Sequence, residues 1–300
     1  MSKKASKKEA GAGRILVPVD FSEQCRIALQ QACNLGAQTG AKIYILHVIE
    51  ETGSFFKFLG EDQMKILRNE VEKELKKLCD SLVVPTGLEC EYMIGRGKVA
   101  DKVAEIAELI AADFIVMGTY GTDNLKKKFI GSNALRVVRE SRVPVITIHG
   151  KKHRKGCKNI VLPLDLTKET REKVNRCIDF ARLYNATVRV VSVQFTTDEF
   201  VVNRLTRQMT QVHAFIEKAG VKVTSEIIKG IKGEESFAQC ILDFAKKVDG
   251  DLIMIMTQQE QDWTPYFIGS SAQSIINHST IPVLSLIPEP KKDMSVFKPY

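Results

Sequence analysis

The chain is predicted to be an α/β protein built twice: two repeated, doubly wound, open parallel five-stranded sheets with helices on both faces. Three observations carry this reading. Short β-branched runs alternate with longer amphipathic stretches, the pattern of βαβ units. Several strands are apolar almost throughout, such as Phe114-Ile115-Val116-Met117, which suits a parallel sheet buried on both faces. The whole pattern then returns within the 300 residues.

The first copy opens on a strand near 14–19, Ile15-Leu16-Val17-Pro18-Val19-Asp20. A helical pattern near 22–38 follows, then a strand near 42–48 and a helix near 62–82. A strand near 88–94 leads into a helix near 98–111, in which Val99, Val103, Ile106 and Ile110 recur at helix spacing. A strand near 113–118, a helix near 132–141 and a strand near 144–149 complete the copy. In the second copy Ile160-Val161-Leu162-Pro163-Leu164-Asp165 repeats the first strand. Ala186 to Val193 repeats Ala41 to Val48, and Asp251-Leu252-Ile253-Met254-Ile255 repeats Asp113 to Met117. Phe267-Ile268-Gly269-Ser270 repeats Phe129 to Ser132, and Ile281-Pro282-Val283 repeats Val143-Pro144-Val145. The offset falls from about 145 to 138, a net deletion within the second copy. The domains are therefore drawn as a basic tail at 1–13, a first domain at 14–150, a basic linker at 151–158, a second domain at 159–288 and a tail at 289–300.

The 44 Lys and Arg exceed the 36 Asp and Glu, a net charge of +8. Much of the excess sits in Lys3, Lys4, Lys7 and Lys8 and in Lys151, Lys152, His153, Arg154, Lys155 and Lys158. Such runs touch nucleic acid or anionic lipid, or are simply a solvated tail and linker, the reading adopted here. Aromatics make up 7% and do not interleave with the basic runs, so no stacking platform for single strands is indicated. The seven cysteines, Cys25, Cys33, Cys79, Cys90, Cys157, Cys177 and Cys240, show no C-x-x-C pair. They read as scattered thiols of a reducing cytoplasm, not as a disulfide framework or zinc site. Cys25 and Cys33 read as packing residues of one helix. No apolar signal core opens the chain and no run approaches ~18 apolar residues, so neither export nor a membrane span is expected.

Chemistry concentrates in one stretch: Gly118-Thr119-Tyr120-Gly121, nine residues, then Gly131-Ser132. A strand runs into a glycine-punctuated loop and on into a helix start, where backbone N–H groups hold a phosphate. Gly118, Gly121 and Gly131 offer positive φ and close approach to the backbone, or are plain turn glycines. Ser132 either caps the helix or gives its hydroxyl to a phosphate. The amides of Ser132 and Asn133 favour an anion through the helix dipole. Lys126, Lys127 and Lys128 within the loop neutralise phosphate or face solvent. Asp20 ends the first strand at the ligand edge, or caps the helix that begins after Phe21, a job Ser22 does equally well. His47, inside an apolar strand, reads as a satisfied core histidine. Gly95-Arg96-Gly97-Lys98-Val99-Ala100 has the form G-x-G-x-x-A but follows the third strand, and no acidic strand end lies about 20 residues on. It is not read as a dinucleotide fingerprint.

These residues together resemble the universal stress protein family, and the chain looks like a tandem member. The family's motif is Gly, two residues, Gly, nine residues, Gly-Ser or Gly-Thr, met in full at Gly118, Gly121, Gly131 and Ser132. Val17-Pro18-Val19-Asp20-Phe21-Ser22, Leu46-His47-Val48 and Val143-Pro144-Val145 match as well, and the likeness spans residues 14 to 288. It implies a fold like that of the adenine nucleotide alpha hydrolases. It also implies an ATP site, or one for ADP or AMP, in a protein with a regulatory stress-response role. Asp20 would then contact the adenosine, with Pro18 nearby, Val48 would offer backbone to adenine, and Mg²⁺ would sit with Asp20 and the phosphates. The resemblance also implies that the strands at 144–149 and 283–287 pair with each other, and it leaves room for a homodimer. In the second copy Met256 and Gln259 stand where Gly118 and Gly121 do, and Glu260 and Asp262 repel phosphate. One nucleotide site per chain is therefore expected. No nucleophile with its base is evident. A slow ATPase or phosphotransferase and a scaffold that binds no nucleotide are the other readings.

Overall fold

The computed structural model describes residues 13–50, 60–120, 130–150, 153–164, 171–231, 233, 236–257 and 268–287. Gly121 and Lys126, Lys127 and Lys128 lie outside them, as do Asp165, Gln259, Glu260 and Asp262.

The first half runs β1 (Arg14–Pro18), α1 (Glu23–Thr39), β2 (Lys42–Ile49), α2 (Glu61–Leu78), β3 (Cys90–Arg96), α3 (Val99–Leu109), β4 (Phe114–Gly118), α4 (Ser132–Glu140) and β5 (Val145–Ile148). The second runs β6 (Asn159–Pro163), α5 (Arg171–Tyr184), β7 (Thr187–Gln194), α6 (Glu199–Lys218), β8 (Val223–Lys229), α7 (Phe237–Lys247), β9 (Leu252–Met256), α8 (Ser270–His278) and β10 (Val283–Leu286). The helix expected over 62–82 stops at Leu78. A π turn, Cys79–Val83, and a 3-10 turn, Val84–Thr86, follow it, because Pro85 has no N–H to continue the ladder.

All ten strands form one sheet, in the order β3-β2-β1-β4-β5-β10-β9-β6-β7-β8. Pairing within each half is parallel, while β5 and β10 join antiparallel. Their register is Val283 with Thr147, Leu284 with Ile146 and Ser285 with Val145. Thr147 and Ser285 are equivalent positions of the two copies, as are Val145 and Val283. The joint is therefore self-complementary about a pseudo-two-fold axis through Ile146 and Leu284, the rule for an isologous interface. It buries what would be the open edge of each half. Thr147 Oγ1 donates to the Val283 carbonyl at 3.3 Å across it.

Side chains alternate across the sheet. Ile15, Val17, Phe114 and Val116 face the layer of α1, α2, α5 and α6, while Leu16, Ile115 and Met117 face that of α3, α4, α7 and α8. Each layer draws on both halves. Phe114 of β4 meets Phe180 of α5 with ring centroids 5.9 Å apart. Burying a side chain such as Ile146 or Leu284 is worth roughly 1.5–3 kcal/mol, so the seam belongs to the core.

Two expectations are corrected. The stretch 153–158 is not a solvated linker but is docked on α1. Buried Gln31 accepts the Arg154 N–H at 2.6 Å, Asn34 Nδ2 donates to the Arg154 carbonyl at 2.7 Å, and Cys157 is buried. Charge counting missed this because the anchors are backbone groups. Nor are all the cysteines free thiols: Cys79 and Cys90 form a disulfide with Cα atoms 6.1 Å apart, since the π turn carries the chain back over the start of β3. Cys25, Cys33, Cys157 and Cys177 are buried free thiols, and Cys240 is buried as well. Among the described residues no helix is long and apolar enough to cross a membrane.

Replacing Gln31 by Leu leaves the Arg154 N–H without its acceptor. We expect a loss of about 1–3 kcal/mol, the cost of a buried unsatisfied donor, in urea unfolding followed by circular dichroism. Unchanged stability would show that the strap is not held there.

Candidate functional site

Strand order turns back on itself where β1 lies between β2 and β4, the point at which open α/β sheets leave a crevice beyond their carboxyl ends. A cleft of about 350 Å³ opens there. Pro18, Val19 and Asp20 line it from β1, Leu46, His47 and Val48 from β2, and Met117 to Tyr120 from β4. Gly131 to Ala134 close it at the start of α4, and Cys25, Glu50 and Val99 complete the wall. Every described residue expected at a ligand site, namely Pro18, Asp20, Val48, Gly118, Gly131, Ser132 and Asn133, lies on this one cleft.

The β1 side is built by a tight exit from the strand. Val19 N–H continues the ladder to the Leu46 carbonyl at 2.8 Å. Phe21 adopts φ +63°, a left-handed conformation costly for an aromatic residue, and its ring lies 4.7 Å from that of His47. Asp20, exposed to the cleft, accepts the Ser22 N–H on Oδ1 at 3.0 Å. Ser22 Oγ in turn caps α1 by accepting the Cys25 N–H at 3.2 Å. Ser22 is thus the cap of α1, and Asp20 is not; Asp20 bonds the backbone of the cap residue instead. Burial and the neighbouring Asp20 charge push the Cys25 thiol up to about 11, so it stays a protonated packing group at neutral pH. His47 Nδ1 stands 2.8 Å from the Val19 carbonyl. A carbonyl only accepts, so Nδ1 carries the proton. His47 is a satisfied histidine, as read, but it also faces the cleft, which an apolar strand pattern does not reveal.

The β4 side corrects the reason for the first glycine. Gly118 ends its strand without a positive φ, and so does Gly131 before α4, where φ is −65°. A Cβ on Gly118 would lie 2.7 Å from Gln24 Cγ and 3.3 Å from the Gln24 carbonyl. Gln24 is buried and donates from Nε2 to the Ile148 carbonyl at 2.9 Å. Glycine is needed here so that α1 can pack against the strand end, a contact between residues 94 positions apart in sequence. At Gly131 a Cβ would stand 3.1 Å from the Thr119 carbonyl, which already accepts the Gly131 N–H at 2.7 Å.

Ser132 does not cap α4. Gly131 is the N-cap and Ser132 the first helical residue, and among the described residues no side chain caps the first-turn amides. The first N–H groups of a helix have no partner within it. Ser22, Asp198 and Ser236 supply that partner in α1, α6 and α7. The exposed start of α4 thus presents bare amides and the positive end of a dipole to the cleft, as an anion requires. Asp20 and Glu50 bring negative charge to the β1 and β2 side. Among the described residues no three His, Cys, Asp or Glu side chains group to hold a metal alone. A divalent ion at Asp20 would complete its shell from phosphate and water.

The pseudo-symmetric region of the second half is built differently. Met256 replaces Gly118, buried Ser192 replaces His47, and Phe195 replaces Glu50. Phe195 packs so closely on Gly230 that a Cβ there would lie 2.3 Å from its ring. Lys173 of α5 donates its ammonium to the Pro163 carbonyl at the strand end.

Comparison with known proteins bears on the family and the fold. The universal stress protein family model matches twice, at residues 11–149 and 156–286. The chain is 29% identical over 154 residues to universal stress protein MJ0577 of Methanocaldococcus jannaschii, covering 46% of this chain and 95% of that one. It is 23% identical over 232 residues to universal stress protein Rv2319c of Mycobacterium tuberculosis, covering 72% and 77%. The crystal structure of a universal stress protein from Archaeoglobus fulgidus superposes with a TM-score of 0.72 at 19% identity, over 93% of this chain and 97% of that one.

Gly118→Ala should destabilise the chain by about 1–3 kcal/mol, the usual result of forcing an atom into a packed site. Thermal unfolding of the variant checks this, and a variant as stable as the parent would show that Gln24 yields freely.

Proposed function

The chain belongs to the universal stress protein family, as a tandem two-domain member, and we propose that its N-terminal domain binds one adenine nucleotide per chain. ATP is the expected ligand, with ADP or AMP as alternatives, and the role is regulatory, within a stress response. The observation that carries this reading is the uncapped start of α4 opening into the crevice at the turn of strand order. Phosphates would lie against the amides of Ser132 and Asn133, where the dipole and the bare N–H groups favour negative charge. The nucleoside would lie toward β1 and β2, with Asp20 within reach of a ribose hydroxyl and Val48 beside the base. Mg²⁺, bound by Asp20 together with phosphate oxygens, would offset their charge.

In such a role the nucleotide acts by binding two conformations of the protein unequally, because only differential affinity shifts an equilibrium. The C-terminal domain serves as a pairing partner. Met256 and Phe195 stand where the first domain has Gly118 and Glu50, which supports assigning it no nucleotide of the usual kind. A slow ATPase or phosphotransferase is the second reading. It is favoured by Asp20 and Glu50 flanking the cleft, where a metal-bound phosphate could meet water.

Mass spectrometry of the denatured purified chain is expected to release an adenine nucleotide, and calorimetric titration of stripped protein with Mg·ATP to give a stoichiometry near one. Two equivalents per chain would rule out assignment to one domain. Asp20→Asn keeps the Ser22 acceptor but removes the charge. Affinity should then fall by about 10–100-fold, the worth of a charge-assisted bond, with thermal stability held.

A further inference from the structure

The backbone just before α4 in the first domain is held by a side chain of the second. Two hydrogen bonds fix it. Gly131 N–H donates to the Thr119 carbonyl at 2.7 Å, which closes the loop on itself. The adjacent Ile130 N–H donates to Asn277 Oδ1 at 3.0 Å, although the two residues stand 147 positions apart. Ile130 and Asn277 are both buried, so water does not substitute easily for either partner. Asn277 is the eighth residue of α8, next to the pseudo-two-fold joint.

The pseudo-symmetry supplies a control. The eighth residue of α4, the position equivalent to Asn277 in the repeat, is Arg139. A guanidinium has donors and no acceptor, so Arg139 cannot give Ile268 N–H what Asn277 gives Ile130. The grip therefore runs one way, from the second domain to the first. It runs toward the loop that keeps Gly118, Gly121 and Gly131 and away from the loop in which Met256 and Gln259 replace the first two. Two unrelated asymmetries, one of glycines and one of a helix side chain, favour the same domain.

We propose that Asn277 is a positioning residue for the nucleotide site of the N-terminal domain, so that this site is complete only when the C-terminal domain is docked. The inference rests on the nucleotide reading above. Asn277 touches no ligand. It sets where the peptide of Ile130 lies, and through it where α4 begins two residues later. The start of α4 is where the phosphates would bind. The degenerate domain thereby has a stated task, which is to hold the loop root of its twin. Occupancy of the cleft and docking of the two domains are then thermodynamically linked, each strengthening the other by the same factor.

The test compares the full chain with Asn277→Ala and Asn277→Asp, the latter retaining an acceptor at the same place. Three quantities are read: Mg·ATP affinity by calorimetry, amide exchange at Ile130 by NMR, and the unfolding midpoint. Asn277→Ala is expected to bind ATP roughly tenfold more weakly, within the usual range for coupled sites, and to exchange the Ile130 amide faster. Asn277→Asp should stay within about threefold of the parent in affinity and keep the amide protected, since a carboxylate accepts the same bond. Parental affinity in Asn277→Ala overturns the proposal. So does an equal loss of affinity in both variants that tracks their unfolding midpoints, which marks a merely structural role. Absence of ATP binding by the parent chain overturns the nucleotide reading instead. Exchange at Ile130 then still judges the grip, and unchanged exchange in Asn277→Ala overturns it.

Discussion

Val283, Leu284 and Ser285 pair antiparallel with Thr147, Ile146 and Val145, and the long-range order of the molecule follows from that short ladder. Each half is an open parallel sheet whose last strand would otherwise present unpaired N–H and C=O groups. Joining the two edges turns two five-stranded sheets into one of ten and lets both helix layers continue across the seam. The register is self-complementary, so each half meets the other with the same strand. Differences between the halves are therefore presented across one axis, and Asn277 and Arg139 occupy equivalent places in α8 and α4. The docked segment 153–158 reinforces the arrangement by tying the start of β6 to α1 through Gln31 and Asn34.

The cleft depends on how the N-terminal ends of two helices are treated. α1 is satisfied at its N-terminus by Ser22 and fixed along its length by Gln24, whose amide reaches the Ile148 carbonyl. That helix shapes the back of the cleft and forces a glycine at 118. α4 is left unsatisfied at its N-terminus, because its cap position is a glycine with no side chain to offer. Packing demand at one helix and open amides at the other meet within a single loop connection. A motif of glycines thus reflects two unrelated physical needs, helix–strand contact at Gly118 and a close carbonyl contact at Gly131.

Much of this was legible in the chain itself, for reasons that particular residues make clear. Strand and helix positions follow from local periodicity, and Phe114 to Met117 or Val99 to Ile110 declare their structure without reference to anything distant. The glycine spacing, with Pro18, Asp20 and Val48 at strand ends, converged on one cleft because the carboxyl ends of neighbouring parallel strands lie together in such a sheet. His47 was half legible: its satisfied state was readable from its apolar strand, but its position on the cleft wall was not. The capping role considered for Ser132 failed by one residue, since the chain enters α4 at Gly131 and not after it.

The sequence by itself determined the doubled α/β architecture, the order of its elements and the asymmetry between its two loops, because these are written in short-range patterns and in comparison of one half with the other. Only the tertiary structure decided that Gln24 is what excludes a side chain at Gly118, that Cys79 and Cys90 meet, that the basic run at 153–158 is docked, and that Asn277 holds Ile130. The reason is common to all four. Each is a contact of a few ångströms between groups whose separation in sequence carries no signal, and it exists only once the faces of helices and sheet have been brought together.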